Sequence, residues 1–81
     1  MKVEVYTAPE DPNSDEMKEF LESRGVNYEE KCVVTQPELF DELVGRTGQG
    51  SVPACIVEGD IFVGFNPRVK RRLTRALDKN R

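Results

Sequence analysis

At 81 residues the chain has room for one domain, spanning residues 1–81, that buries only about 60–65% of its unfolded surface, so its core must be small and its loops short. Its 37% hydrophobic and 33% charged composition is that of a soluble globular protein, and no apolar run approaches the roughly 20 residues that cross a bilayer, which excludes a membrane-spanning protein. Charge is unevenly divided, since residues 1–67 carry 5 Lys/Arg against 14 Asp/Glu and residues 68–81 carry 7 against 1, balances of −9 and +6 that sum to −3.

Val3 and Val5 alternate with Glu4 and Tyr6, which predicts a strand. It starts directly after Met1 and leaves no room for a signal peptide, so the expected location is the cytoplasm. A polar junction follows and leads into a helix whose apolar stripe is Met17, Phe20 and Leu21 and whose stop is Gly25, a glycine placed to end a helix. Asp11-Pro12-Asn13-Ser14 opens that helix. Asp is a preferred N-cap, Pro is favoured just after it because its missing N–H is not needed there, and Asp15 and Glu16 suit the positive end of the helix dipole. Asn13 with Glu16 three residues on is an alternative cap.

Residues 26–34 read as a second strand. Thr35-Gln36-Pro37-Glu38 has the pattern of a capping box with a Pro near the helix start, and Leu39, Phe40, Leu43 and Val44 form the expected buried face of a second helix, with residues 45–50 as its exit. Residues 52–57 and 61–63 are two apolar runs separated by Glu58-Gly59-Asp60, the pattern of an antiparallel β-hairpin. Asn66-Pro67 then caps and starts a terminal helix. The order is βαβαββα, in which strands joined through a helix are expected to run parallel.

The basic tail invites a nucleic-acid reading, but Val69, Leu73, Ala76 and Leu77 recur at the spacing of a helix with one buried stripe. The cations are therefore its solvated faces, and neither nucleic acid nor membrane is an expected partner. Cys32 and Cys55 lie 23 positions apart with no CxxC, and the chain has no histidine, which excludes zinc-finger spacing and leaves no imidazole to act as a base near neutral pH. No metal or resident cofactor is expected.

Three local features, set in this element order, resemble the glutaredoxin family and most of all the small redoxins that donate hydrogen to ribonucleotide reductase. Asp11-Pro12-Asn13-Ser14 stands after the first strand, where that family has Cys-Pro-x-Cys; Ser51-Val52-Pro53 is similar to its Thr-Val-Pro, whose proline is cis; Gly64-Phe65-Asn66-Pro67 is similar to its Gly-Phe-x-Pro. The resemblance covers essentially the whole chain. It implies an α/β, thioredoxin-like fold with a four-stranded mixed sheet of order 2-1-3-4 flanked by three helices. It also implies a groove in which Pro12, Asn13, the Val52 main chain beside Pro53, and the Gly64, Phe65 and Asn66 turn receive glutathione or an extended peptide of a partner protein.

The departure from the pattern limits the chemistry. In a dithiol redoxin the first cysteine is a low-pKa thiolate that attacks a disulfide and the second resolves the mixed disulfide; Asp11 and Ser14, at the family's catalytic positions, can do neither. A serine hydroxyl without an adjacent base is not an activated nucleophile. In this fold the strands bearing Cys32 and Cys55 flank the first strand, about 9–10 Å apart at ~4.8 Å per strand. A disulfide needs Cα atoms within roughly 7 Å, so each cysteine is expected to be a small apolar core residue. Cys55 is the more interesting, because it shares a strand face with Pro53, two residues away.

The reading that follows is a monomeric glutaredoxin-like domain that has kept the groove, lost the dithiol and works as a glutathione- or peptide-binding module. Two others stay open: a thiol-disulfide oxidoreductase of electron-donor type in redox homeostasis, working through Cys55 or Cys32, and a redoxin whose active-site cysteines were replaced artificially.

Overall fold

The computed structural model describes residues 1–80. Seven elements follow one another: β1 (Val3–Thr7), α1 (Pro12–Ser23), β2 (Glu29–Cys32), α2 (Glu38–Thr47), β3 (Ala54–Val57), β4 (Asp60–Val63) and α3 (Pro67–Lys79). They form a four-stranded sheet of order β2-β1-β3-β4, with β1 parallel to β2 and antiparallel to β3, and β3 antiparallel to β4. No helix among the described residues is long and apolar enough to cross a membrane.

The helix ends are made by the residues that punctuate the sequence. Asp11 is the N-cap of α1, its side chain accepting from the Asn13 N–H, with Pro12 beginning the helix. At the other end Gly25, at φ 69°, donates to the Glu22 carbonyl and Val26 to the Leu21 carbonyl, the paired bonds of a Schellman stop, which needs a left-handed residue. Asn66 caps α3 by accepting from the Val69 N–H at 2.9 Å, and Val69, Leu73, Ala76 and Leu77 are all buried.

The sheet has apolar packing on both faces. On one, Val3, Val5, Cys55, Val57 and Phe62 meet Met17 and Leu21 of α1 and the buried stripe of α3. On the other, Tyr6, Ala54 and Ile56 meet Leu43 of α2. Central β1 is consequently buried at all five positions, Glu4 included.

Four expectations are corrected. β2 and β3, though joined through α2, are antiparallel: Cys32 pairs with Thr7 and Ala54 with Tyr6, so the chain re-enters the sheet from the end at which it left. A crossover imposes parallel strands only when it carries the chain back to the opposite end. Two strands are shorter than expected, β2 covering Glu29–Cys32 of residues 26–34 and β3 Ala54–Val57 of residues 52–57. The hairpin loop is the pair Glu58-Gly59, both at positive φ, with Asp60 already paired to Val57. Finally, α2 begins at Glu38 without a side-chain cap, and of its expected stripe only Leu43 is fully buried, Phe40 and Val44 remaining 43% and 39% exposed.

A polar network occupies the place of that stripe. Arg46 Nη1 and Nη2 donate to Glu4 Oε2 and Oε1 at 2.7 and 2.9 Å, and Nη1 also donates to the Tyr6 hydroxyl at 2.9 Å. Lys31 donates to Glu4 and Glu42 at 2.8 Å each, and the Tyr6 hydroxyl donates to Glu42. The Arg46 hydrogen bond, with Lys31 in support, holds the Glu4 carboxyl at a pKa of about 2, against the upward push of burial.

Candidate functional site

The antiparallel return of β3 brings the carboxyl ends of β1, β2 and β4 and the start of β3 to one end of the sheet, since Thr7 pairs with Cys32, Tyr6 with Ala54 and Ala54 with Val63. Residues 11–14, 51–53 and 64–67, the three predicted motifs, all lie at that end. Gly64 donates to the Pro53 carbonyl at 2.8 Å, which ties the second segment to the third, and the Val52–Pro53 peptide is cis. The ladder between β3 and β1 stops at Ala54, leaving the Val52 main chain beyond it.

At the head of α1, Ser14 Oγ donates to Asp11 Oδ2 at 2.7 Å and accepts from the Ala8 N–H at 3.3 Å, while Asp11 Oδ1 accepts from the Asn13 N–H at 3.3 Å. Ser14 has no exposed surface and Asp11 is half-buried. This corrects the expectation that Ser14 lacks a neighbouring base: the Asp11 carboxylate is in contact with it. The hydroxyl is nevertheless closed to a substrate, and its proton is committed to an acceptor that also caps the helix. Pro12 and Asn13 are exposed beside it.

Between α1 and the start of α3 lies a cleft of about 320 Å³ lined by Glu16, Phe65, Asn66, Pro67 and Lys70. Phe65 packs on Phe20 with ring centroids 5.7 Å apart, and Lys70 Nζ lies 5.5 Å from the Phe20 ring centre. The cleft therefore offers an aromatic wall with a cation and a carboxylate at its rim. Asn66 is spent on its own helix through the Val69 N–H, and Pro67 has no N–H to give, so the Arg68 main-chain N–H is the first-turn donor that a carboxylate would meet there.

The two cysteines are not brought together. Cys32 pairs with Thr7 and Cys55 with Val5, on opposite sides of β1, and both are free thiols. Cys55 is a core residue, as expected, and burial pushes its thiol up to about 12. Cys32 departs from that expectation: it is half-buried at the end of β2, and its pKa is lowered by hydrogen bonding from the Thr35 side chain, then from the Thr35 and Val34 main chain.

Sequence reasoning passed over Glu16 and Lys70 as cleft residues and Phe20 as the ring behind Phe65. The signal was present: Glu16 and Phe20 are four apart on one helical face, and Lys70 follows Asn66 by the same interval.

A mixed sheet of this order, flanked by helices on both faces and with its loops collected at one end, defines a thioredoxin-like protein. The glutaredoxin family model matches residues 3–63, and the chain belongs to that family. A relative from Clostridium pasteurianum, an uncharacterized glutaredoxin-like 8.6 kDa protein in a rubredoxin operon, is 26% identical over 77 residues, covering 95% of this chain and 99% of its own. The crystal structure of the thioredoxin-like protein BC3987 superposes with a TM-score of 0.84 at 31% identity, over 93% of this chain and 99% of that one. The glutaredoxin-like NrdH-redoxin of Escherichia coli, described as having a thioredoxin-like activity profile, gives a TM-score of 0.74 at 27% identity, over 90% and 95% of the two chains.

Proposed function

We propose that this chain is a redox-inactive glutaredoxin-like module of the cytoplasm that binds glutathione or an extended peptide of a partner protein at the loop end of the sheet. The observation that carries this reading is the closed pair at the helix head: Ser14 Oγ donates to Asp11 Oδ2 at 2.7 Å where the family places its two thiols. Neither group can form a disulfide, and each stabilises the first turn of α1 instead. The binding half of the reading is supported by the main chain of Val52, which lies outside the β3–β1 ladder, and by the cleft beside Phe65 and Asn66.

A second reading has one observation in its favour, the lowered pKa of the half-buried Cys32 thiol, and it makes the protein an oxidoreductase through that residue. Cys55 is the poorer candidate, because a thiol with no exposed surface and a pKa near 12 supplies little thiolate.

Reduction of a mixed glutathione disulfide, coupled to glutathione recycling, separates the two. The expected result is turnover at background. Turnover typical of a dithiol glutaredoxin defeats the first reading, and its loss in Cys32→Ser establishes the second.

A further inference from the structure

The helix α3 carries Arg68, Lys70, Arg71, Arg72, Arg75 and Lys79, and among the described residues none of these six forms an ion pair; Asp78, the helix's carboxylate, is taken by Arg24. Lys70 turns to the cleft it shares with Glu16, and the other five make a cationic surface on a chain whose net charge is −3. Three of the six, Arg72, Arg75 and Lys79, stand on one side of the helix at intervals of three and four and line a cleft of about 340 Å³ with Asp60, Ile61, Phe62 and Ala76. The Arg72 guanidinium lies 5.8 Å from the centre of the Phe62 ring.

That cleft runs along a free sheet edge. β4 pairs with β3 alone, so its outer side has no strand beside it. Gly64 donates inward to Pro53, and main-chain groups of antiparallel strands alternate in direction, so Ile61 and Val63 turn their N–H and C=O groups outward. Their side chains sit on the face opposite Phe62 and are 40% and 37% exposed. The edge thus presents unpaired main chain, two apolar side chains on one face and three cations on the other.

We infer that β4 and α3 form a docking edge for an extended acidic segment of a partner protein, added as a fifth strand with carboxylates alternating with apolar side chains. An added strand would place every second side chain over Arg72, Arg75 and Lys79 and the others beside Ile61 and Val63. A second copy of this chain is disfavoured as occupant, because pairing β4 with β4 would bring two sets of these cations together. Nucleic acid has a use for the cations but none for the outward main chain of β4. This edge is separate from the loop-end site, and the inference does not depend on glutathione binding there.

The test is a titration of the isotope-labelled full chain with an end-blocked hexapeptide of alternating Asp and Val, followed through main-chain amide resonances, with an alternating Lys and Val hexapeptide and a short oligothymidylate as controls. Shifts at residues 60–64 and 72–79 are expected with the acidic peptide alone, weakening as salt is raised toward ~0.5 M. Replacing Arg72 and Arg75 together by Gln should weaken binding about tenfold. Ile61→Pro removes one outward donor without touching the β3 ladder and should also abolish the β4 shifts. Shifts confined to residues 9–14, 51–53 and 64–66, equal binding of the Lys peptide, equal shifts with the oligonucleotide, self-association of the free chain, or no shifts at millimolar peptide would each overturn the inference.

Discussion

The Arg46 guanidinium grips the Glu4 carboxylate with two nitrogens, at 2.7 and 2.9 Å, beneath α2 where an apolar stripe would ordinarily fasten a helix to a sheet. A glutamate on a central strand is tolerated because every oxygen it buries is hydrogen-bonded, and the helix is held by charge geometry as much as by Leu43.

This pairing makes stability depend on pH in a defined window. The Glu4 pKa is about 2 in the folded chain against 4.5 ordinarily, so the unfolded chain binds the proton more readily and the pair's stabilisation is present above pH ~4.5 and lost as pH falls toward 2. The difference corresponds to about 3 kcal/mol. Denaturation midpoints measured across this range should fall steeply in the parent chain, and the fall should be shallower in Glu4→Gln, which is less stable near neutral pH.

Arg46→Met should lower stability by about 1–3 kcal/mol, because Glu4 keeps Lys31 but loses its two charged hydrogen bonds from Arg46. Urea denaturation measures it. A change under a few tenths of a kcal/mol would mean that Lys31 alone satisfies the carboxylate.

At the helix head, Asp11→Ala should cost about 0.5–2 kcal/mol, since the Asn13 N–H and the Ser14 hydroxyl both lose their acceptor. Asp11→Asn keeps an acceptor and should cost less. Equal denaturation midpoints for Asp11→Ala and the parent would remove Asp11 from the cap.

Asp11→Cys with Ser14→Cys should bring disulfide reductase turnover above background, because the thiols would then stand at the helix N-terminus that lowers a thiol pKa. The mixed-disulfide assay reads this directly. A folded double variant with no turnover would show that more than the two thiols is missing from the site.

Reduced glutathione or an S-methyl analogue should bind weakly, at millimolar concentration, with amide shifts at residues 9–14, 51–54 and 64–66. A thiolate at ~4 Å from the Asp11 carboxylate would be repelled by about 4 kcal/mol at an effective dielectric near 20, so Asp11→Asn should tighten binding. Unmoved resonances in those three segments at saturating ligand would leave the loop end without this role.

Under native conditions iodoacetamide should modify Cys32 readily and Cys55 only after unfolding, since the first thiol is half-buried with a lowered pKa and the second is fully buried with a raised one. Mass spectrometry of the intact chain should show one adduct before denaturant and two after it.

The fold was legible where local chemistry and packing agree. Asp11-Pro12, Gly25 and Asn66-Pro67 mark helix ends by backbone requirements that no tertiary contact overrides, and the α3 stripe recurs at helical spacing. It was illegible where a long-range partner decides. Glu4 reads as the solvated side of an alternating strand, yet β1 lies between β2 and β3 under helices on both faces, and Lys31, Glu42 and Arg46 meet Glu4 and Tyr6 from 27 to 42 positions away. With those groups filling the space beneath α2, Phe40 and Val44 were left outside. At the site, the three segments were readable as motifs, but the closure of Ser14 onto Asp11 depends on a rotamer that spacing does not specify.

All three site segments leave the sheet at one end, and the hairpin beside Lys2 lies at the other. Met1, whose amino group lies 3.7 Å from Glu58 at the hairpin, sits at that far end, as does the last turn of α3, where Asp78 meets Arg24. A chain immobilised on a surface, or fused to another polypeptide, through Met1 would stand with its loops pointing away from the anchor and its binding end unobstructed.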